Sequence, residues 1–528
     1  MSKFLQFGLA LLFIPMMLFS CKKPIPKDLN QENLIPKPVS LTATGSSFEW
    51  TKNTQINIQT GKEEVREIAA YLADFIAPST GFKTEIKELK KPLGSRGISL
   101  IINENQKDLG EEGYNLIIES KKITLEAFKP EGIFRGVQTI RQLLPAKIES
   151  DSLQKGPWLI ASGTIMDYPQ YGYRGAMLDV VRHFFGIEDV KQYIDYLAAY
   201  KMNVLHLHLS DDQGWRIEIK SWPKLTEIGG KTQVGGGKGG YYTQEEYQEI
   251  VQYAKERYIT IIPEIDMPGH TNAALASYAE LNADNKACEL YTGTRVGFST
   301  LATDKEITYQ FVDDVIRELA AITPGEYIHI GGDESHVTKK KDYIKFVNRV
   351  QKIVQSHGKK MMGWADVAAA SLDESSVAQF WQTKPENAVK AVKQNVKVIM
   401  SPASLAYMDM QYDSLCPLGL HWAGFVPVDK AYNWTLESIV EGIAKKDILG
   451  IEAPLWTETV ETMDDIEFLV FPRLPGYAEL GWSPVENHSW DEYKFRLGMQ
   501  QERFEFMNIN YYKSELIPWQ VLKNKELK

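Results

Sequence analysis

Tyr327-Ile328-His329-Ile330-Gly331-Gly332-Asp333-Glu334 reads as a short apolar strand that runs, through two glycines, into a pair of neighbouring carboxylates. Gly331 and Gly332 tolerate the tight backbone geometry needed to turn away from the end of a strand. Two other strands end in the same manner. His206-Leu207-His208-Leu209 continues into Ser210-Asp211-Asp212-Gln213-Gly214-Trp215-Arg216, and the strand from Thr260 to Ile265, through Pro263-Glu264, continues into Asp266-Met267-Pro268-Gly269-His270. Polar groups therefore gather beyond the carboxyl ends of successive strands, the face on which (β/α)₈ barrels build their active sites.

Working outward, candidate strands are Gly175 to Val180, Val204 to Leu209, Thr260 to Ile265, Tyr327 to Ile330, Lys360 to Gly363, Val377 to Phe380, Val396 to Met400 and Ile448 to Ile451, with helical patterns between most of them. Eight such strands over about 320 residues predict an α/β fold, a TIM-type (β/α)₈ barrel with insertions. Spacing alone also fits an open doubly wound sheet; the placement of the polar residues is what favours the barrel. Upstream, strands such as Gln55 to Ile58, Tyr114 to Ile118 and Ile123 to Leu125, with helical stretches near Val65 to Phe75 and Gly132 to Leu144, predict a small α+β accessory domain. The expected division is a signal peptide at 1–20, a linker at 21–32, the accessory domain at 33–168, the barrel at 169–490, and a C-terminal helix and tail at 491–528.

The 528 residues, 44% hydrophobic and including 12 Trp, exclude a single small module and global disorder. A net charge of −10 gives no long-range attraction to polyphosphate, so nucleic acid is not an expected partner. Three cysteines, Cys21, Cys288 and Cys416, supply neither a disulfide framework nor a four-thiolate zinc site. Cys288 and Cys416 read as free thiols, with one bridge between them as the alternative. The apolar run from Phe4 to Phe19 follows Lys3, is short for a bilayer span, and ends in Leu18-Phe19-Ser20-Cys21. That ending resembles the bacterial lipoprotein cleavage box, which implies lipidation of Cys21, export across the inner membrane and anchoring at the outer membrane. An ordinary signal peptide with an incidental cysteine is the alternative.

Two adjacent carboxylates cannot both ionise freely in a desolvated pocket, so one of Asp333 and Glu334 can remain a proton donor near neutral pH. In a solvated loop the same pair is an ordinary helix cap and first-turn acid. His206 and His208 face one side of their strand and could begin a divalent-metal site. No further ligand completes the set, so histidines hydrogen-bonded inside the barrel are the favoured reading, with no metal and no cofactor. Trp364, Trp381, Trp422 and Trp456 each follow a strand end and together suggest aromatic walls for sugar rings and acetamido methyl groups. Asp409 and Glu458, two residues after Tyr407 and Trp456, are placed to accept hydrogen bonds from hydroxyls, or are surface charges.

Taken in order, these motifs resemble the family 20 glycoside hydrolases, the β-N-acetylhexosaminidases. The stretch Gly132-Ile133-Phe134-Arg135-Gly136-Val137-Gln138-Thr139-Ile140-Arg141-Gln142-Leu143-Leu144-Pro145 is similar to the end of that family's accessory domain. Arg174-Gly175, Leu178-Asp179, Arg182-His183-Phe184, His206 to Arg216, His270, and His329 to Glu334 are similar to successive catalytic-domain motifs. The resemblance implies that Glu334 is the general acid and base and that Asp333 orients the substrate's 2-acetamido group. It also implies that Trp364, Trp381 and Trp456 enclose the acetamido methyl, and that Tyr407 donates to its carbonyl oxygen. Arg174, Asp409 and Glu458 would bind ring hydroxyls, Asp211 and His270 would support Glu334, and Trp422 would face the leaving sugar. After Trp364 the chain departs from the family pattern with Ala365-Asp366. The implied activity is exo-hydrolysis of terminal β-linked GlcNAc or GalNAc from a carbohydrate substrate, through an oxazolinium intermediate. A non-catalytic glycan-binding lipoprotein on the same scaffold, and a metal-dependent hydrolase using His206 and His208, are the rival readings; the oligomeric state is left open.

Overall fold

The computed structural model describes residues 26–519 except 93, 383 and 384. Cys21 and the signal segment lie outside these residues. The first unit, Ser40 to Asp167, is a seven-stranded mixed sheet in the order Ser40–Trp50, Trp158–Asp167, Tyr114–Glu119, Lys122–Ala127, Gly97–Ile102, Gln55–Gln59, Glu85–Leu89. Helices Glu63–Thr80 and Pro130–Leu143 pack together on one face of it. Pro130–Leu143 is buried along nearly its whole length because it is sandwiched between this sheet and the barrel, where Phe134 meets Tyr258 at 5.4 Å.

The second unit is a closed barrel of eight parallel strands: β1 (Tyr173–Asp179), β2 (Val204–His208), β3 (Thr260–Glu264), β4 (Tyr327–His329), β5 (Lys360–Trp364), β6 (Val377–Phe380), β7 (Lys397–Met400) and β8 (Ile448–Leu455). All seven residues of β1 are buried, as expected of a parallel strand covered on one face by helices and on the other by the barrel's own filling. The helices read from sequence logic as well. Gln244–Lys255 begins in a reciprocal cap between Thr243 and Glu246. Glu306–Ile322 turns Phe311, Val312, Val315, Ile316 and Leu319 inward at helical spacing.

Because side chains alternate along a strand, the barrel is filled in layers. Tyr173, Val204, Ile262, Met362, Val377 and Ile399 form an apolar plug at the amino ends of the strands. Two residues further along come His206, Glu264, Gln379 and Glu452, a polar layer, and beyond it the residues of the strand-end loops.

Two expectations fail at domain edges. Residues 26–32, read as linker, pack against the accessory sheet: Leu29 is fully buried, Asp28 bridges Ser162, and the Lys27 N–H donates to Ser47 Oγ at 2.8 Å. The expected boundary after residue 490 cuts helix Trp490–Gly498, whose Tyr493 stacks on Tyr432 at 4.0 Å. A second short helix, Gln501–Phe506, follows, so the C-terminal residues belong to the packed body. Cys288 and Cys416 are free.

Candidate active site

The site lies at the carboxyl ends of the barrel strands. After β4, Gly331 and Gly332 take φ of 62° and 93°, and a Cβ on Gly331 would lie 1.9 Å from Asp266 Oδ1. Only glycine admits both that conformation and that approach. The turn leaves Glu334 itself at φ 42°, a sparsely populated conformation for a side-chain-bearing residue and one often found at functional sites. Asp333 is 9% exposed at its side chain and Glu334 28%. The two adjacent acids are thus differently solvated.

His270 stands between them, its Nε2 3.8 Å from Asp333 Oδ2 and 3.8 Å from Glu334 Oε2. Its Nδ1 is 3.0 Å from Asp211 Oδ1, and Asp211 in turn meets His208 at 2.9 Å and Arg182 at 2.8 Å. Burial opposes charge on His270, but Asp211, Asp333 and Asp266 outweigh it and raise the imidazole well above its ordinary value. Asp211 is held well below the usual carboxylate range because Arg182 and His270 overcome its burial. Asp333 is pushed up to about 7 by burial, with the charge of Glu334 adding to the effect. Asp266 rises for the same reasons, burial and then Asp333, while its Oδ1 accepts the Gly332 N–H at 3.0 Å. Asp266 was not singled out by the sequence reading, although it directly follows the β3 strand end.

Below the pair, indoles and a phenol form a cage. Trp364 meets Trp456 at 5.8 Å and Trp381 at 6.3 Å, and Tyr407 meets Trp456 at 6.4 Å. Trp364 Nε1 donates to Glu264 at 3.0 Å and Trp381 Nε1 to Asp366 at 3.1 Å, so Asp366, the residue that departs from the family pattern, orients a wall of the cage. Burial and the neighbouring Asp409 raise the Tyr407 phenol well above its ordinary value, so it remains a donor. Asp409 Oδ2 and Glu458 Oε2 have no partner among the described residues. Both carboxyls are raised by burial, Asp409 further by Glu458. Trp422 is 56% exposed and meets Trp381 and Tyr407 edge-on at the rim.

Arg174 is not in this site. It opens β1 at the amino end of the barrel, where its guanidinium binds Glu112 of the accessory domain and the carbonyls of Lys201 and Tyr171. Near the site instead is Arg182, beyond the carboxyl end of the same strand. Arg182 pairs with Asp179 at 3.1 Å and lies over the Trp456 ring at 4.7 Å. The strand-end pattern used for the other residues also selects Arg182.

His206 and His208 sit inside the barrel. His206 Nδ1 meets Glu452 at 2.9 Å, His208 Nδ1 meets Glu264 at 2.6 Å, and His329 Nδ1 meets Glu264 at 3.0 Å. The donor atoms of His206, Glu264 and His329, and those of His208, Asp211 and Asp266, are close enough together to hold an ion. The pairing of histidines with carboxylates already satisfies most of them and ties the polar layer to the site above.

A barrel closed at one end by an aromatic cage, with paired carboxylates over it, defines a carbohydrate-processing enzyme, and comparison with known proteins gives the family. The catalytic-domain model of glycosyl hydrolase family 20 matches residues 171–485, and the model of that family's domain 2 matches residues 31–168. The chain belongs to glycosyl hydrolase family 20. A β-N-acetylhexosaminidase of Cellulomonas fimi is 35% identical over 489 residues, 92% of this chain and 97% of the relative. The structure of the β-N-acetylhexosaminidase from Streptomyces coelicolor A3(2) superposes with a TM-score of 0.90 at 49% identity, covering 94% of this chain and all of that one. A mutant Streptomyces plicatus β-hexosaminidase in complex with its product GlcNAc superposes with the same score, identity and coverage.

Proposed function

We propose that the chain is an exo-acting β-N-acetylhexosaminidase that removes terminal β-linked GlcNAc by substrate-assisted catalysis. The observation that carries this reading is the unequal acid pair over an indole cage: a desolvated Asp333 beside a part-exposed Glu334, both facing His270. The cage formed by Trp364, Trp381 and Trp456 fits an acetamido methyl. Tyr407, kept protonated, donates to the amide oxygen, and Asp333 accepts from the amide N–H. Asp409, Glu458 and Arg182 take the ring hydroxyls at the closed end, which limits cleavage to a terminal sugar.

In the first step the amide oxygen attacks the anomeric carbon while Glu334 delivers its proton to the leaving glycosidic oxygen. In the second, Glu334 takes a proton from the water that opens the oxazolinium ring, which returns the acid and retains configuration. The positive charge developing on the amide lies against Asp333, so the buried carboxylate stabilises the transition state more than the ground state.

Purified protein should release the chromophore from an aryl β-N-acetylglucosaminide, and Glu334→Gln should lower kcat by about 10²–10⁴-fold with ligand binding retained. Equal hydrolysis of a plain β-glucoside, which has no amide, would overturn the mechanism. Binding without turnover would favour a glycan-binding scaffold, and activity lost to a chelator and restored by zinc would favour the metal-dependent alternative.

We further infer that Cys21 is acylated and tethers the enzyme at the outer membrane. Leu18-Phe19-Ser20-Cys21 at the end of the apolar run supports this, and among the described residues no helix is long and apolar enough to cross a membrane. Expressed in full in a bacterial host fed labelled palmitate, the protein should carry the label in the membrane fraction, and Cys21→Ser should lose it. Native protein that carries no label, or a Cys21→Ser variant that keeps it, would sink the inference.

A further inference from the structure

Three adjoining segments near Glu334, residues 228–243, 290–303 and 335–341, carry six cations, with Glu227, Glu289, Asp304 and Asp342 just outside their ends. They are joined to one another and to the site. A Cβ on Gly297 would lie 3.0 Å from the Glu334 carbonyl oxygen and 2.2 Å from His336 Nδ1. The Gly235 N–H donates to the Thr292 carbonyl at 2.9 Å, and the Thr300 and Thr338 hydroxyls are 2.6 Å apart. Lys231, Lys238, Arg295, Lys339, Lys340 and Lys341 are all exposed, and among the described residues none has an ion-pair partner.

In a chain of net charge −10, six exposed cations without an ion pair among the described residues, gathered on three adjoining segments, run against the composition. They also run against local stability. Lys339 to Lys341 enter helix Lys340–Ser356 at its amino end, where the helix dipole disfavours positive charge. Arg295 is held in place rather than loose: its guanidinium lies over Phe298 at 5.0 Å, and Phe298 packs on Tyr291 at 4.6 Å. Arg295 and the lysine run follow β3 and β4, whereas exposed Trp422 follows β7, on the opposite side of an eight-stranded barrel. A leaving sugar that stacks on Trp422 therefore turns its other edge toward the cations.

Building on the hexosaminidase reading, we propose that the preferred leaving group is anionic, with a carboxylate or a sulfate ester on a sugar just beyond the scissile bond. Such a charge is drawn in by the field of the rim, an effect that salt screens. The test compares kcat/KM for three trisaccharides with a terminal β-GlcNAc: chitotriose, chitotriose 6-O-sulfated on its middle sugar, and GlcNAc-β-(1→4)-GlcA-β-(1→3)-GlcNAc.

At low ionic strength at least one anionic substrate should exceed chitotriose by about tenfold, and about 0.5 M salt should remove most of that advantage. Which of the two does so separates sulfate from uronate. The combined variant Arg295→Ser, Lys339→Ser, Lys340→Ser, Lys341→Ser should abolish the preference while leaving turnover of the neutral aryl substrate unchanged. Equal rates on all three substrates, or a preference untouched by salt, would overturn the proposal while leaving the hexosaminidase reading intact; these measurements need only the native enzyme. No turnover of chitotriose or the aryl substrate would overturn the hexosaminidase reading and this one with it.

Discussion

Arg174 and Arg182 are eight positions apart at the two ends of one strand, and they have opposite surroundings. The first is enclosed by carbonyls and Glu112 at the base of the barrel; the second reaches two aspartates and an indole at its top. A planar guanidinium can serve Asp179, Asp211 and Trp456 together, whereas an ammonium cannot. Arg182→Lys is therefore expected to lower kcat/KM by about 10–100-fold with little change in melting temperature, a loss measured on the aryl substrate. Asp333, Glu334, Trp364, Trp381, Trp456 and Glu458 were legible in the sequence because each lies at or just after a strand end, whereas Asp409 and Trp422 lie well along the loop after β7. Asp266 and Asp366 follow strand ends too, but what they do depends on partners distant in the chain, Asp333 and Gly332 for one and Trp381 for the other.

Among the elements, the eight barrel strands were legible because burial on both faces leaves short, mostly apolar runs, broken only by the inward polar layer, between polar loops and helical patterns. Strands of the accessory sheet such as Ser40–Trp50 and Glu85–Leu89 were not, since both lie at sheet edges, largely exposed and polar. Inside the barrel, His206 on β2 is pushed up to about 9: burial opposes its charge, but Glu452 and Glu264 outweigh it. Its folded value exceeds the ordinary one of about 6.5, so the stability it adds is fully present below that pH and is lost as pH rises through about 9. Glu264 is depressed by His208, His329 and His206, and Glu452 by His206, each against its burial, and their contribution is lost as pH falls through the acid range. Urea unfolding should therefore report a drop of a few kcal/mol, on the order of 3, between about pH 7 and 10, and a shallower drop in His206→Gln.

At the scale of the whole molecule, the two domains are joined by buried charge. Glu112 of the accessory domain pairs with Arg135 and with Arg174 of the barrel, and Lys201 of the barrel reaches Asp167 at 2.8 Å. The C-terminal helices add a second joint: Arg503 binds Glu149 and the Leu144 carbonyl, and Arg496 binds Glu479 and the Leu34 carbonyl. Removing one partner of such a cluster leaves a buried charge uncompensated. Glu112→Ala is expected to cost about 3–5 kcal/mol in calorimetric stability while leaving KM unchanged, because the joint lies at the end of the barrel away from the site. A raised KM at unchanged stability would mean that the joint acts on the pocket instead.

By itself the sequence determined the strands of the barrel and the adjacent acids beyond β4, because apolar periodicity and strand-end chemistry are local properties of neighbouring residues. Only the tertiary structure decided that Arg174 joins domains while Arg182 faces the pocket, that residues 26–32 are packed rather than free, and that Asp333 is the desolvated member of its pair. Charge state, hydrogen-bond partner and exposure depend on groups brought together from distant parts of the chain, and one strand's sequence looks the same whichever of its ends meets the substrate.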